Sequence, residues 1–213
     1  LLSLLFLYSF SAEGNNSDED TDANTHLGRS VICKTEFRSV SRSNFTGRIV
    51  MEMLQDNGFY DGDWNSSASG FPNDFQLQND VNVVLDRASG LMWQQSGSVK
   101  EISYSEAREY LERLNSDQFV GYNDWRLPTL EEAMSLMEPA ERSNGMYIDP
   151  VFDNMQRWIW TSDTNEFSLA WLANFVSGNC YTYPNDYFDF TSGGYVRAAR
   201  LHSSACLEEP SEQ

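Results

Sequence analysis

The chain has 213 residues, room for one domain of ordinary size plus tails. Aromatic residues make up 14%, enough large side chains to build a core, so disorder throughout is excluded. The formal charge of −18 comes without a dominant basic stripe, which argues against nucleic-acid binding and, on average, against anionic membranes and sulfated polymers.

Residues 1–10 (LLSLLFLYSF) are apolar but fall short of the about 20 residues that a bilayer span needs. Ser11-Ala12-Glu13-Gly14 follows. Residues 1–12 are read as the remnant of a signal peptide, in preference to a buried strand or helix, which places the mature chain outside the cell, on its surface or in a periplasm with no stable membrane span. Residues 13–25 are acidic and polar and cannot bury enough surface to offset the entropy of ordering. Residues 29–48 are locally basic, through Arg29, Lys34, Arg38, Arg42 and Arg48. They are read as a solvated connector against the acidic body, with a ligand patch as the alternative. The whole of 13–48 is thus expected to be a flexible linker, acidic and then basic, ahead of a domain over 49–206 and a frayed tail over 207–213.

In Asp61-Gly62-Asp63-Trp64-Asn65 the oxygen-bearing side chains Asp61, Asp63 and Asn65 alternate as they do in calcium loops. Ser66 and Pro72 stand where an EF-hand needs Gly and Glu, so a simple turn is favoured over a calcium site and no cofactor is expected. Residues 81–86 and 91–95, separated by the turn cluster 87–90, predict a hairpin with Trp93 in the core. Ser103 and Glu106 form a capping box ahead of Tyr104, Ala107, Leu111 and Leu114 at helical spacing. Thr129 and Glu132 repeat the signature before Leu130, Ala133, Met134, Leu136 and Met137, with Pro139 and Asn144-Gly145 ending that helix. Between the two helices Trp125 should seat between sheet and helix, and Pro128 should stop the incoming chain. Asp124 and Arg126 are expected to pair with each other or with backbone groups, and Arg197 and Arg200 to meet Asp86 or Asp124. From residue 149 on the pattern is β. Trp158 to Thr161 and Ala170 to Phe175 alternate, Ser177-Gly178-Asn179 is a hairpin turn, and residues 195–201 form a last strand entered through Gly193-Gly194. Strand pair, two helices, then strand meander is the order of an α+β domain on an antiparallel sheet.

Three Cys, at 33, 180 and 206, with only two His, give a Cys/His zinc site almost no ligands. Cys180 and Cys206 are a candidate disulfide over the C-terminal strands, although three Cys allow three pairings and three free thiols are an equal alternative.

The motifs Gly90-Leu91-Met92-Trp93-Gln94, residues 121–129 (GYNDWRLPT), Trp158-Ile159-Trp160-Thr161-Ser162, Ala170-Trp171 and Tyr195-Val196-Arg197 occur in an order and spacing that resemble the Lcl C-terminal domain family, named for a bacterial collagen-like adhesin. The resemblance covers about residues 50–203 and implies a C-type-lectin-like α+β fold, an antiparallel sheet core with two helices. It further implies export and a ligand-binding or adhesive role toward a glycan or a protein. Trp93, Asp124, Trp125, Arg126, Pro128, Trp160, Trp171, Arg197 and Arg200 are then framework. Recognition is expected in the loop around Tyr181, Tyr183, Asn185, Asp186, Tyr187 and Asp189, where rings face sugars or side chains and Asn and Asp supply hydrogen bonds. Calcium-dependent lectins use Glu-Pro-Asn or Gln-Pro-Asp with Trp-Asn-Asp. Here the order is Asn123-Asp124-Trp125, and Tyr183-Pro184-Asn185 lacks the carboxylate, so calcium chemistry is disfavoured. A formylglycine-generating-type enzyme, a relative in the same superfamily, is an alternative, but it needs a close pair of reactive Cys and only Cys180 lies in that region. A structural or assembly role is the third reading. The oligomeric state is not legible.

Overall fold

The computed structural model describes residues 31–33, 37–78, 82–183, 193–202 and 206–208. In chain order its elements are β1 (Val31–Cys33), α1 (Gly47–Asp56), β2 (Phe75–Gln78), β3 (Val83–Asp86), β4 (Leu91–Gln94), α2 (Tyr104–Ser116), a 3-10 turn (Phe119–Gly121), α3 (Leu130–Ser135), β5 (Trp158–Thr164), β6 (Ala170–Asn174), β7 (Asn179–Tyr183), β8 (Ala199–Leu201) and β9 (Cys206–Glu208). Three antiparallel sheets result, in the orders β2-β3-β4-β8, β5-β6-β7 and β1-β9. The domain is α+β and compatible with the C-type-lectin-like fold.

Period-two alternation splits the strand side chains between two cores. Val84, Leu91, Trp93, Ile159, Trp171, Ala173 and Ala199 enter one core, which α1 and α3 cover. Their chain neighbours Val83, Met92, Trp160, Ala170, Leu172 and Ala198 enter the other, against Ala107 and Leu111 of α2. The strands are therefore apolar on both faces, and β3 and β4 are buried at every position.

Residues 193–201 lace the two larger sheets together. Tyr195 bridges Ile159 in parallel, with Trp160 N–H donating to the Tyr195 carbonyl at 2.9 Å and Tyr195 N–H to the Trp158 carbonyl at 3.0 Å. The chain then pairs with β4, Trp93 lying opposite Ala199 and Leu91 opposite Leu201. The single strand expected over 195–201 is thereby divided, because its first half serves a different sheet from its second. The crossing needs glycine: a Cβ on Gly193 would stand 2.0 Å from the Ile102 carbonyl oxygen.

Both expected capping boxes form. Glu106 N–H donates to Ser103 Oγ at 3.2 Å and Ser103 N–H to Glu106 Oε2 at 2.8 Å; Thr129 and Glu132 repeat the pair at 3.2 and 2.8 Å. α3 is shorter than expected and stops at Ser135, whose hydroxyl donates back to the Glu132 carbonyl at 2.7 Å. Leu136 and Met137 continue as buried, non-helical chain.

The sequence reading missed α1. Thr46 caps it, Val50, Met53 and Leu54 face the core, and Asn57 and Gly58 end it, Gly58 at φ +65°. The connector expected over residues 13–48 also ends earlier, since Phe37 and Phe45 are buried and the folded body already includes residue 37. The signal remnant, residues 13–30 and the tail beyond 208 lie outside the described residues.

Candidate functional site

The motif around Trp125 builds one wall of a cleft. Asn115 near the end of α2 brackets Trp125, donating from Nδ2 to the Trp125 carbonyl and accepting the Trp125 N–H, both at 2.8 Å. The indole N–H donates to the Phe119 carbonyl at 3.0 Å and the ring is buried. Backbone direction then turns Arg126 to the opposite side, as expected of extended chain. Arg126 does not pair with Asp124: its guanidinium meets the fully buried Glu132 in a two-pronged bridge at 2.7 and 2.6 Å. Asp124 takes Arg200, one of the two pairings expected for that arginine, at 2.7 and 3.2 Å, and Arg200 lies 3.7 Å over the Tyr122 ring.

Arg197 also departs from expectation, because neither Asp86 nor Asp124 reaches it. It donates to the carbonyls of Gln94 and Asp153 at 3.0 and 2.8 Å, to the Gln95 carbonyl, and to Gln156 Oε1 at 3.1 Å. Burial pulls its pKa down to about 9. Asp86 instead organises the β3–β4 turn through the N–H groups of Asp74, Ala88 and Ser89. Trp93 and Trp160 are fully buried, and the indole N–H groups of Trp160 and Trp171 donate to the Ile102 and Phe45 carbonyls at 2.9 and 2.8 Å. The Pro128 carbonyl accepts from Ser162 N–H at 2.8 Å.

Beside Arg126 the surface opens into a cleft of about 290 Å³, lined by Ser39, Ser41, Tyr104, Arg108, Leu111, Arg126, Leu127 and Ser162. Tyr104, Arg108 and Leu111 are one stripe of α2, four and three residues apart. Ser162 belongs to β5, and Ser39 and Ser41 to the segment before α1. That segment is pinned by the fully buried Asp163, which accepts Arg38 Nη1 and Nη2 at 2.9 and 2.8 Å, Arg42 N–H at 2.6 Å and Leu130 N–H at 2.7 Å. The charges under the cleft thus close on one another, Arg38 with Asp163 and Glu131, and Arg126 with Glu132. Arg108 is exposed and, among the described residues, has no ion-pair partner and no carboxylate lines the cleft. Burial raises the Tyr104 pKa, so its hydroxyl stays protonated and able to donate. A second hollow of about 240 Å³ holds Lys100 and Arg113 together with Glu106 and Glu109, so its charge is balanced.

Of the recognition residues expected from the sequence, Tyr181 is half-buried on β7 against the second core. Tyr183 ends that strand opposite Ala170, and Asn185, Asp186, Tyr187 and Asp189 lie outside the described residues. Asp61, Asp63 and Asn65 come together as a turn. Asp61 Oδ1 accepts the Asp63 and Trp64 N–H groups, both at 2.9 Å, and Oδ2 accepts Cys180 N–H at 2.9 Å. Asp63 Oδ2 accepts from Asn179 at 2.6 Å, and the Asn65 amide donates to the Leu54 and Phe59 carbonyls at 3.1 and 2.9 Å. Asp61 thus accepts through both carboxylate oxygens and Asp63 through one. Cys180 is a free, buried thiol and is not joined to Cys206. Burial and the neighbouring Asp61 push its pKa well above the ordinary value.

Sequence reading placed Arg126 in the framework and Tyr104 and Leu111 on a helix, and assigned none of the cleft residues to recognition. Two signals for the cleft were present: an Arg between Tyr104 and Leu111 on one helical stripe, and serines inside the basic segment before α1.

Fold and cleft together define an α+β, C-type-lectin-like domain with a small cationic hollow on its surface. The chain belongs to the Lcl C-terminal domain family, whose model matches residues 82–200. No curated protein and no solved structure matches it.

Proposed function

We propose that the chain is an exported ligand-binding module of the adhesive kind and that the Arg108–Arg126 cleft takes the carboxylate of an acidic sugar. The observation that carries this reading is Arg108, without an ion-pair partner among the described residues, in a cleft whose described lining holds no carboxylate, on a chain of net charge −18. A cation kept free in such surroundings attracts one small anionic group while the rest of the surface repels polyanions. The volume, about 290 Å³, lies at the small end of ligand pockets and suits a single sugar ring. Ser39, Ser41, Ser162 and the Tyr104 hydroxyl supply donors and acceptors for its hydroxyls, and Leu111 and Leu127 an apolar patch for its ring face. The Tyr-rich run 181–189 belongs to the same reading as a further set of contact residues. Export rests on the apolar run 1–10 with its small-residue boundary. The thiol-enzyme alternative is disfavoured by the buried, high-pKa state of Cys180.

Titration calorimetry of the full chain with galacturonate, with and without calcium, tests the proposal against neutral galactose and an acidic peptide. Acid-selective, calcium-independent binding is expected, and Arg108→Ala should weaken it by about 10-fold or more, the worth of a lost charge-assisted hydrogen bond. Equal affinity for the neutral sugar, an unaltered Arg108→Ala variant or a preference for the peptide would each overturn it.

A further inference from the structure

The ends of the described chain meet. β1 and β9 pair antiparallel, with Val31 opposite Glu208, Ile32 opposite Leu207 and Cys33 opposite Cys206. Two of the three cysteines in the chain therefore share one register position. Residues directly opposite in an antiparallel pair have Cα atoms about 4.5 or 5.5 Å apart, depending on whether the pair is hydrogen-bonded, and their Cβ atoms leave the same face. Both separations fall inside the roughly 4.4–6.8 Å window of disulfides. The third cysteine is out of reach. Cys180 lies in the first core, opposite Ala173 on β6, with its backbone N–H held by Asp61.

We propose that Cys33 and Cys206 form a disulfide that fastens the two ends of the domain, leaving Cys180 reduced. The sites are the only two cysteines placed in register, and a two-stranded ribbon of three residues a strand is too short to be stable unaided. In the reaction the two S–H bonds break and one S–S bond forms. The two electrons and two protons pass to the disulfide of a thiol–disulfide oxidoreductase, which becomes a dithiol. In cells this step depends on the export reading above, because a reducing cytosol would oppose it. The chemistry of the pair itself does not.

The test uses the purified full chain, oxidised in a glutathione buffer, with peptide mapping under non-reducing conditions. A linked pair of peptides containing Cys33 and Cys206, with Cys180 alkylated only after denaturation, is expected. Any linkage through Cys180, or three free thiols after oxidation, overturns the assignment. The bridge encloses a long loop, so reduction, or Cys33→Ser or Cys206→Ser, should lower Tm by roughly 5–15 °C, while Cys180→Ser should keep the redox dependence. A redox-independent Tm would overturn the fastening role. Chain isolated directly from its cells separates the two proposals: a bridge that forms in the buffer but is absent there supports the pairing and counts against export.

Discussion

Asp163 is the buried charge on which both the fold and the cleft turn, and Asp163→Asn is the substitution that exposes this. The side chain is fully buried on β5 and accepts from both Nη atoms of Arg38, from Arg42 N–H and from Leu130 N–H, at 2.6–2.9 Å. Leu130 is the first residue of α3, whose N–H has no partner within the helix. An asparagine keeps the shape, but it turns an NH2 group toward these donors and leaves the Arg38 guanidinium, 14% exposed, with only the longer contact to Glu131 at 3.5 Å. Breaking a buried pair from one side costs about 3–5 kcal/mol. With a urea m-value of about 2 kcal/mol/M, the unfolding midpoint should fall by about 1.5–2.5 M. Adding Arg38→Met to the variant should recover part of the loss, because the stranded charge leaves with it. Ser39 and Ser41 lie between the two residues that Asp163 holds, so ligand affinity should fall as well. A midpoint shift under about 0.5 M, or strict additivity of the two substitutions, would refute the account of Asp163 as the paired anchor of this wall.

Two further outcomes are expected. The hydrogen bonds from Ser103 hold the Glu106 pKa below its ordinary 4.5. A depressed carboxylate pKa gives stability that is present above the unfolded value and lost as pH falls through the folded value. Glu106→Ala should therefore cost about 0.5–1 kcal/mol in urea melts at pH 7 and progressively less in acid, and a cost independent of pH would contradict the cap. Cys180 should resist a thiol-directed alkylating reagent in the native chain and react once urea unfolds it, as read by mass spectrometry. Equal labelling in both states would contradict the burial and raised pKa assigned to this thiol.

Features set by neighbours in sequence were legible in it. The boxes Ser103–Glu106 and Thr129–Glu132 join residues three apart, and the hairpin turn at Gly178 is marked by its positive φ, +69°. What required the fold was the choice among partners. Arg197 satisfies itself on acceptors from two separate stretches, 94–95 and 153–156, and Arg126 prefers Glu132 over the nearby Asp124, because the first turn of α3 brings that carboxylate alongside. α1 escaped notice for an energetic reason. Gly47 and the β-branched Ile49 and Val50 are poor helix formers, and the helix is held chiefly by burial of Val50, Met53 and Leu54. Arg108 reads as one more solvated charge until β5 and the segment before α1 close around it.

The framework and the proposed recognition surface share a peptide. Trp125 and Arg126 are adjacent, one facing the second core and the other the cleft, so the stretch that marks the family also shapes the hollow. The family match begins at residue 82, which places Tyr104, Arg108, Leu111, Arg126, Leu127 and Ser162 within it and Ser39 and Ser41 outside. The conformation of the matched part is held by capping boxes, buried indoles and the Arg126–Glu132 bridge, none of which needs the serines. The serines lie on a segment held by Asp163, by the Arg38–Glu131 contact, and by hydrogen bonds from the Thr129 hydroxyl to the Arg38 carbonyl and from Thr164 N–H to the Arg42 carbonyl. A cleft with one wall belonging to the scaffold and the other on a separately anchored segment can alter its ligand preference without altering its fold.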